Sequence, residues 1–146
     1  MMEITRHFTA TTFIVHKDKT LLHLHKKLGK WLPVGGHIDR DELPHEAAIR
    51  EIKEETGLDV HMYFPEEALF FNDAIYLSNP MHLLLENINQ FHQHIDFIYY
   101  AKADNLNIIP ENSESNLKWF TAEEIKKETI PDNVKILAFE ALKILS

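Results

Sequence analysis

A chain of 146 residues, 45% hydrophobic and 26% charged, has enough apolar material for one independently folding core and is neither disordered nor fibrous in composition. Its formal charge of −8, from 23 acidic and 15 basic residues, excludes the basic face that grips long nucleic acid. No run approaches the roughly 20 apolar residues that span a bilayer, so no membrane partner is expected.

The chain has no cysteine, which removes disulfides and thiolate metal sites and fits a reducing compartment. MMEITRHFTA lacks the apolar stretch of a secretory leader, so a cytoplasmic protein is expected. Repeats, low-complexity tracts and linkers are absent, which predicts a single domain over residues 1–146.

In chain order, Phe8 to His16 is rich in β-branched and aromatic residues and predicts a strand. Leu21 to His25 alternates and can pair with it through a turn at Lys17 to Thr20. Trp31 to Val34 is extended, because a residue before proline avoids helical dihedrals, and it runs into a Gly35-Gly36 loop. Pro44 to Thr56 is the best helix, with proline in its first turn and Gly57 just past its end. Strand-like runs follow at Val60 to Phe64, Ala74 to Leu77, His82 to Glu86 and Ile95 to Ala103. Asn112 to Asn116 reads as a polar loop, and Thr121 with Glu124 forms a capping box for a short helix. Pro131 to Leu145 closes the chain as an amphipathic helix. Strands interleaved with helices predict an α/β (α+β) domain, a mixed sheet sandwiched by helices.

The helix over Pro44 to Thr56 carries the chemistry. At about 100° per residue, Glu51, Glu54 and Glu55 fall within an arc of roughly 100°, while Ala48, Ile49 and Ile52 would face the sheet. Glu51 and Glu55 are like charges four apart, which costs about 0.2–0.5 kcal/mol. They also sit near the helix C-terminus, where the dipole disfavours anions. Acid-rich helix faces are usually plain solvated surface. Here Gly35-Gly36 permits close backbone approach, Arg50 can hold a carboxylate bidentately, and Glu42 stands at the helix entrance as its partner. A divalent cation would offset the repulsion, and Mg²⁺ binds a few carboxylates while keeping positions for water and phosphate oxygens.

Gly36, Glu42 and the run Arg50-Glu51-Ile52-Lys53-Glu54-Glu55-Thr56-Gly57-Leu58 resemble the signature of the Nudix hydrolase family, G-x5-E-x7-R-E-U-x-E-E-x-G-U, where U is a bulky aliphatic residue. Every fixed position is matched. The resemblance extends more loosely to WLPVGGHID, HIDFIYYAKA and LKWFTAEEI, and so to a MutT-like domain over much of the chain. It implies an α/β/α sandwich and Mg²⁺- or Mn²⁺-dependent hydrolysis of a diphosphate bond in a nucleoside diphosphate linked to another moiety. The implied catalytic set is Glu51, Glu54, Glu55 and Arg50. Glu54 and Glu55 would be principal metal ligands, Glu51 a further ligand or the base, and the Gly35 carbonyl an extra ligand. Arg50 and Glu42 would orient, with Gly36 and Gly57 supporting. Leu43 stands where family members commonly carry a capping serine or threonine, so Asp41 is the alternative cap.

Outside the signature, the resemblance suggests a further loop acid, Glu114 in preference to Glu111, with Asp96 weaker. His92, His94 and Asp96 alternate and would share one strand face, as a metal site or, more simply, as pocket lining or surface. Phe8, Trp31, Tyr99 and Trp119 could stack on a base, although aromatics in strands usually belong to the core. Lys26, Lys27, Lys30 and Arg6 could meet phosphates or simply keep the surface soluble. The expected partner is a small nucleotide or diphosphate, with homodimerisation open. A nucleotide sensor would not need to keep so repulsive a glutamate set, and an isoprenoid diphosphate isomerase would want cysteine. A non-nucleoside diphosphate hydrolase remains a second reading.

Overall fold

The computed structural model describes residues 2–111 and 116–146. Two long strands organise it: β1 (Thr5–His16) and β9 (His92–Ala103), which lie side by side and parallel from Thr5↔His92 to Val15↔Lys102. Each long strand is shared along its other edge by two partners. The middle of β1 pairs with β4 (Val34–His37), and its end pairs with β2 (Lys19–His25). The first half of β9 pairs with β8 (His82–Asn89), and its second half with β5 (Val60–Tyr63). With β3 (Lys30–Leu32) and β10 (Leu117–Thr121) on either side of β2, these make an eight-stranded mixed sheet. A separate hairpin joins β6 (Leu69–Phe70) to β7 (Ile75–Tyr76).

Alternation along β1 divides the core. Ala10 and Ile14 point to one face and pack with Ala47, Ala48 and Ile52 of α1 (Pro44–Thr56). Phe13 and Val15 point to the other, against Ile125 of α2 (Ala122–Lys127) and Val134, Leu137, Ala138 and Ala141 of α3 (Asp132–Leu145). The result is the expected helix–sheet–helix sandwich. No described helix is long and apolar enough to cross a membrane.

Several expectations are corrected. Gly35 and Gly36 are strand residues in β4 rather than a loop, because Thr11 and Ala10 of β1 pair with them. The first hairpin turn shrinks to Lys17-Asp18, with Lys17 at φ 54 and Thr20 already in β2. Ile49 is 46% exposed, and Ala47 and Thr56 are buried in its place. The sheet accepts a strip centred on Ala48 and Ile52, and Ile49 lies too far round the helix to reach it. Asp41 does not cap α1: the residue at the cap, just before the helix, is Leu43, whose N–H donates to the Glu46 carboxylate (2.8 Å).

Candidate active site

Relative to Ile52, helix geometry places Glu55, Glu51 and Glu54 about 60°, 100° and 160° around the axis. Glu54 is therefore the farthest of the three from the buried strip that Ile52 occupies. Glu55 is partly buried beside the sheet, the Glu51 side chain is 15% exposed, and Glu54 on the outer edge is 44% exposed. Glu55 Oε2 accepts a hydrogen bond from the Gly35 N–H (3.1 Å). The Glu51 carboxylate lies directly over the Cα of Gly36, where a β-carbon would stand 2.7 Å from its Cδ. Gly36 is therefore required for its missing side chain and not for flexibility. A side chain at Gly35 would likewise strike the Thr11 backbone at 2.8 Å.

Arg50 ties the constellation together. Its Nε and Nη2 donate to the two oxygens of Glu42 (2.6 and 2.8 Å), a bidentate pair. Nη1 donates to Glu51 (3.0 Å) and Glu54 (3.2 Å), and Nη2 also reaches the His37 carbonyl (3.1 Å). One guanidinium thus positions two of the three acids and links α1 to β4. The hydrogen bonds from Arg50, helped by the Asp39 N–H, pull the Glu42 carboxyl down to about 2, and Arg50 is raised in return. Glu55 moves the opposite way. Burial first and the neighbouring Glu51 charge second push it up to about 7, against the Gly35 N–H, with a smaller push from Glu54.

Gly57 has a second task that its position past the helix end does not reveal. It adopts φ 70, and the Ile109 backbone lies where its side chain would be. Ile109 N–H donates to the Thr56 carbonyl (2.8 Å) and Glu111 N–H to that of Glu54 (3.1 Å), so the segment after β9 is stapled to the end of α1. Glu111 thereby lines the same cavity as Glu51, Glu54 and Glu55, a cleft of about 530 Å³. Glu114, the favoured loop acid, lies outside the described residues.

A second cavity of about 980 Å³ opens on the α3 face beside Gly35 and Gly36. His23 and His25 of β2 line both cavities and were missed in the sequence; the alternation of LLHLH is the signal that placed them on a common strand. Burial, then the nearby His25, lowers the His23 pKa, against a hydrogen bond with the Pro33 backbone. The second cavity is lined by apolar Leu32, Leu84, Ile98, Val134 and Leu137 with a polar floor of Thr9, Thr11, Asp96 and Glu86. Asp96 is buried and accepts from Thr9 Oγ1 (2.9 Å) and Thr11 Oγ1 (2.8 Å). Burial and a hydrogen bond with Asp96 push Glu86 up to about 8. Asp96 is thus far better placed to shape this cavity than to join the α1 acids.

The H-x-H-x-D run lies in β9 as expected, but its members separate. Asp96 turns to the threonines, whereas His94 gathers with His7 and His37. His94 is held below the ordinary imidazole range by partial burial, then by His37 and His92, against Asp96, with a small contribution from His7. Of the aromatic candidates, Tyr99 is core, Trp31 packs edge-on against Phe120 and Trp119 donates to the Leu106 carbonyl. Phe8 is exposed. Lys26 lines the glutamate cleft and Lys27 and Lys30 the larger cavity, while Arg6 bonds Gln93.

Comparison with known proteins gives the same family. The sequence model of the NUDIX domain matches residues 5–139. The crystal structure of a NUDIX-family hydrolase from Clostridium perfringens is 46% identical, with TM-score 0.86, covering 98% of this chain and 100% of that one. A C. elegans Ap4A hydrolase (21% identity, TM-score 0.70, covering 96% and 98%) shares the fold. So does a MutT NUDIX hydrolase from Burkholderia pseudomallei (20% identity, TM-score 0.67, covering 97% and 99%). The chain therefore belongs to the Nudix family of pyrophosphohydrolases.

Proposed function

We propose that this enzyme hydrolyses the diphosphate bridge of a nucleoside diphosphate linked to another moiety, with Mg²⁺ or Mn²⁺ held by Glu51, Glu54 and Glu55. The observation that carries the reading is the convergence of these carboxylates in one cleft, two of them positioned by Arg50. The donor set fits a hard dication: the acids offer oxygen ligands, and the elevated Glu55 reports the cost of burying a carboxylate and then of crowding it against Glu51, both of which such an ion relieves. The Gly35 carbonyl is the proposed backbone ligand. Bound there, the metal supplies neutralisation of phosphoryl charge and a lowered pKa for the attacking water.

The chain's own residues do the rest by positioning. Glu51 has space over Gly36 and one oxygen fixed by Arg50, so it is suited to orient or deprotonate water. Glu54, the most exposed of the three acids, faces the approaching diphosphate. Glu111 is the additional acid that the described residues bring to the cleft. The larger cavity, apolar with a carboxyl floor, takes the moiety on one side of the bridge.

The test is turnover of a panel of nucleoside diphosphate derivatives with Mg²⁺, comparing wild type with Glu54→Gln and Glu55→Gln. Wild-type turnover with a fall of about a hundredfold or more in either variant is expected. Full activity in both variants refutes the ligand assignment. No turnover across the panel, with turnover of non-nucleoside diphosphates, favours the second reading, a hydrolase of those compounds.

A further inference from the structure

We propose that His7, His37 and His94 form a binding site for a borderline transition-metal dication of the Zn²⁺ or Co²⁺ type, distinct from the carboxylate cleft. The three residues come from three strands and meet through register. His7 of β1 is paired with His94 of β9, and His37 of β4 lies opposite Thr9, two residues along β1 on the same face. Each offers a ring nitrogen, and these atoms lie within 4.8 Å of one another. Tetrahedral coordination with metal–nitrogen bonds of 2.0–2.1 Å needs nitrogens about 3.3 Å apart. His7 and His37 are exposed and free to turn inward by that difference, while the strands that carry them are fixed by the sheet.

Other histidines show what the cluster lacks. The rings of His16, His25 and His82 are each engaged in a hydrogen bond, whereas those of His7, His37 and His94 have none among the described residues. Instead His37 meets both others edge-on, with ring centres 5.4 Å from His7 and 5.2 Å from His94, while His7 and His94 lie tilted at 6.4 Å. Partial burial, then the neighbouring imidazoles, favour the neutral form of His94, the form that binds metal. Imidazole donors select Zn²⁺, Co²⁺, Ni²⁺ or Cu²⁺ over Mg²⁺, which prefers the oxygens of α1. His92 packs edge-on against His7, with ring centres 4.5 Å apart, beside the three-nitrogen set and not within it, which leaves the fourth position to water. His37 and His94 also line the larger cavity, so the bound ion stands at its rim.

The experiment is Co²⁺ titration of the full chain in excess Mg²⁺, followed by visible absorption. Wild type should show the intense bands of a tetrahedral nitrogen site, saturating at one equivalent. Exposed His7→Ala, with an unchanged melting temperature, should weaken binding at least tenfold, and His94→Gln should do the same. The Glu54→Gln/Glu55→Gln variant should keep the bands. Wild type without these bands overturns the proposal, as does their survival in both histidine variants or their loss in the glutamate variant. Hydrolysis is not read in this assay, so failure here and failure of the hydrolytic reading are separate results.

Discussion

Replacing Arg50 with lysine tests the claim that one guanidinium organises the acids. Arg50 donates to Glu42 through two nitrogens, to Glu51 and Glu54 through a third position, and to the His37 carbonyl. A lysine nitrogen reaches one or two of these partners and cannot reproduce the bidentate fork. Charge-assisted hydrogen bonds contribute about 1.5–3 kcal/mol each in favourable settings. Because the Arg50 side chain is 29% exposed, water takes up part of the loss, and a net cost of about 2 kcal/mol is expected. For 146 residues that lowers Tm by roughly 4–8 °C. The pH dependence adds a stricter test. Glu42 titrates near 2 when folded, below its ordinary 4.5, so its stabilising contribution is complete above about 4.5 and is lost as pH falls toward 2. Urea midpoints of wild type and Arg50→Lys should therefore differ most at neutral pH and converge between about pH 5 and pH 2. Equal midpoints at neutral pH, or a gap that stays constant over that range, refute the reasoning. Turnover should fall by about 10–100-fold, since Glu51 and Glu54 lose their positioning group.

Three further substitutions separate stability from chemistry. Gly36→Ala displaces the flexible end of Glu51, so Tm should stay within a few degrees of wild type while kcat falls at least tenfold, measured on the same preparation. Gly57→Ala forces a side chain into φ 70 and against the Ile109 backbone; a loss of about 2 kcal/mol by urea melting is expected, with faster amide exchange at Ile109 and Glu111. On α3, Glu140 accepts from Tyr100 Oη (2.7 Å) and bonds His82 Nε2 (2.6 Å), and these partners, His82 first, hold its carboxyl below the ordinary range. Glu140→Gln should cost about 1 kcal/mol at neutral pH, and the difference should fade as acid protonates the wild-type carboxylate.

The sequence was most informative where local geometry decides the outcome. Pro44 and Gly57 bracket α1, and the observed helix has those bounds. The three acids share a face because helix periodicity alone puts them there. The ranking among them needed the sheet, since Ile49 and Ile52 look equivalent by period and only Ile52 is buried. The two glycines were legible as permissive residues, yet their use, space for Glu51 and for β1, depends on neighbours far away in the chain. The run at Ala74 to Leu77 holds β7, but its partner β6 is two residues long, too short for any alternation to register, and LKWFT was too brief to read as the strand β10. His92 and His94 stood out as a pair, but the register of β1 and β4 brings His7 and His37 to them.

The parallel pairing of β1 with β9 also constrains how the chain is made. Partners along it are 87 residues apart, as for Thr9 and Asp96, so β1 has to wait for a strand made much later. During translation FTATTFIVH emerges with its central edge unmatched, and closing so long a loop precedes any reward from the contact. The hairpin with β2 can form early, leaving the other edge of β1 open to a second nascent chain. A ribosome-bound fragment ending before β9 should therefore expose a sticky strand to chaperones, and release of β9 is the step that converts it into a protected domain.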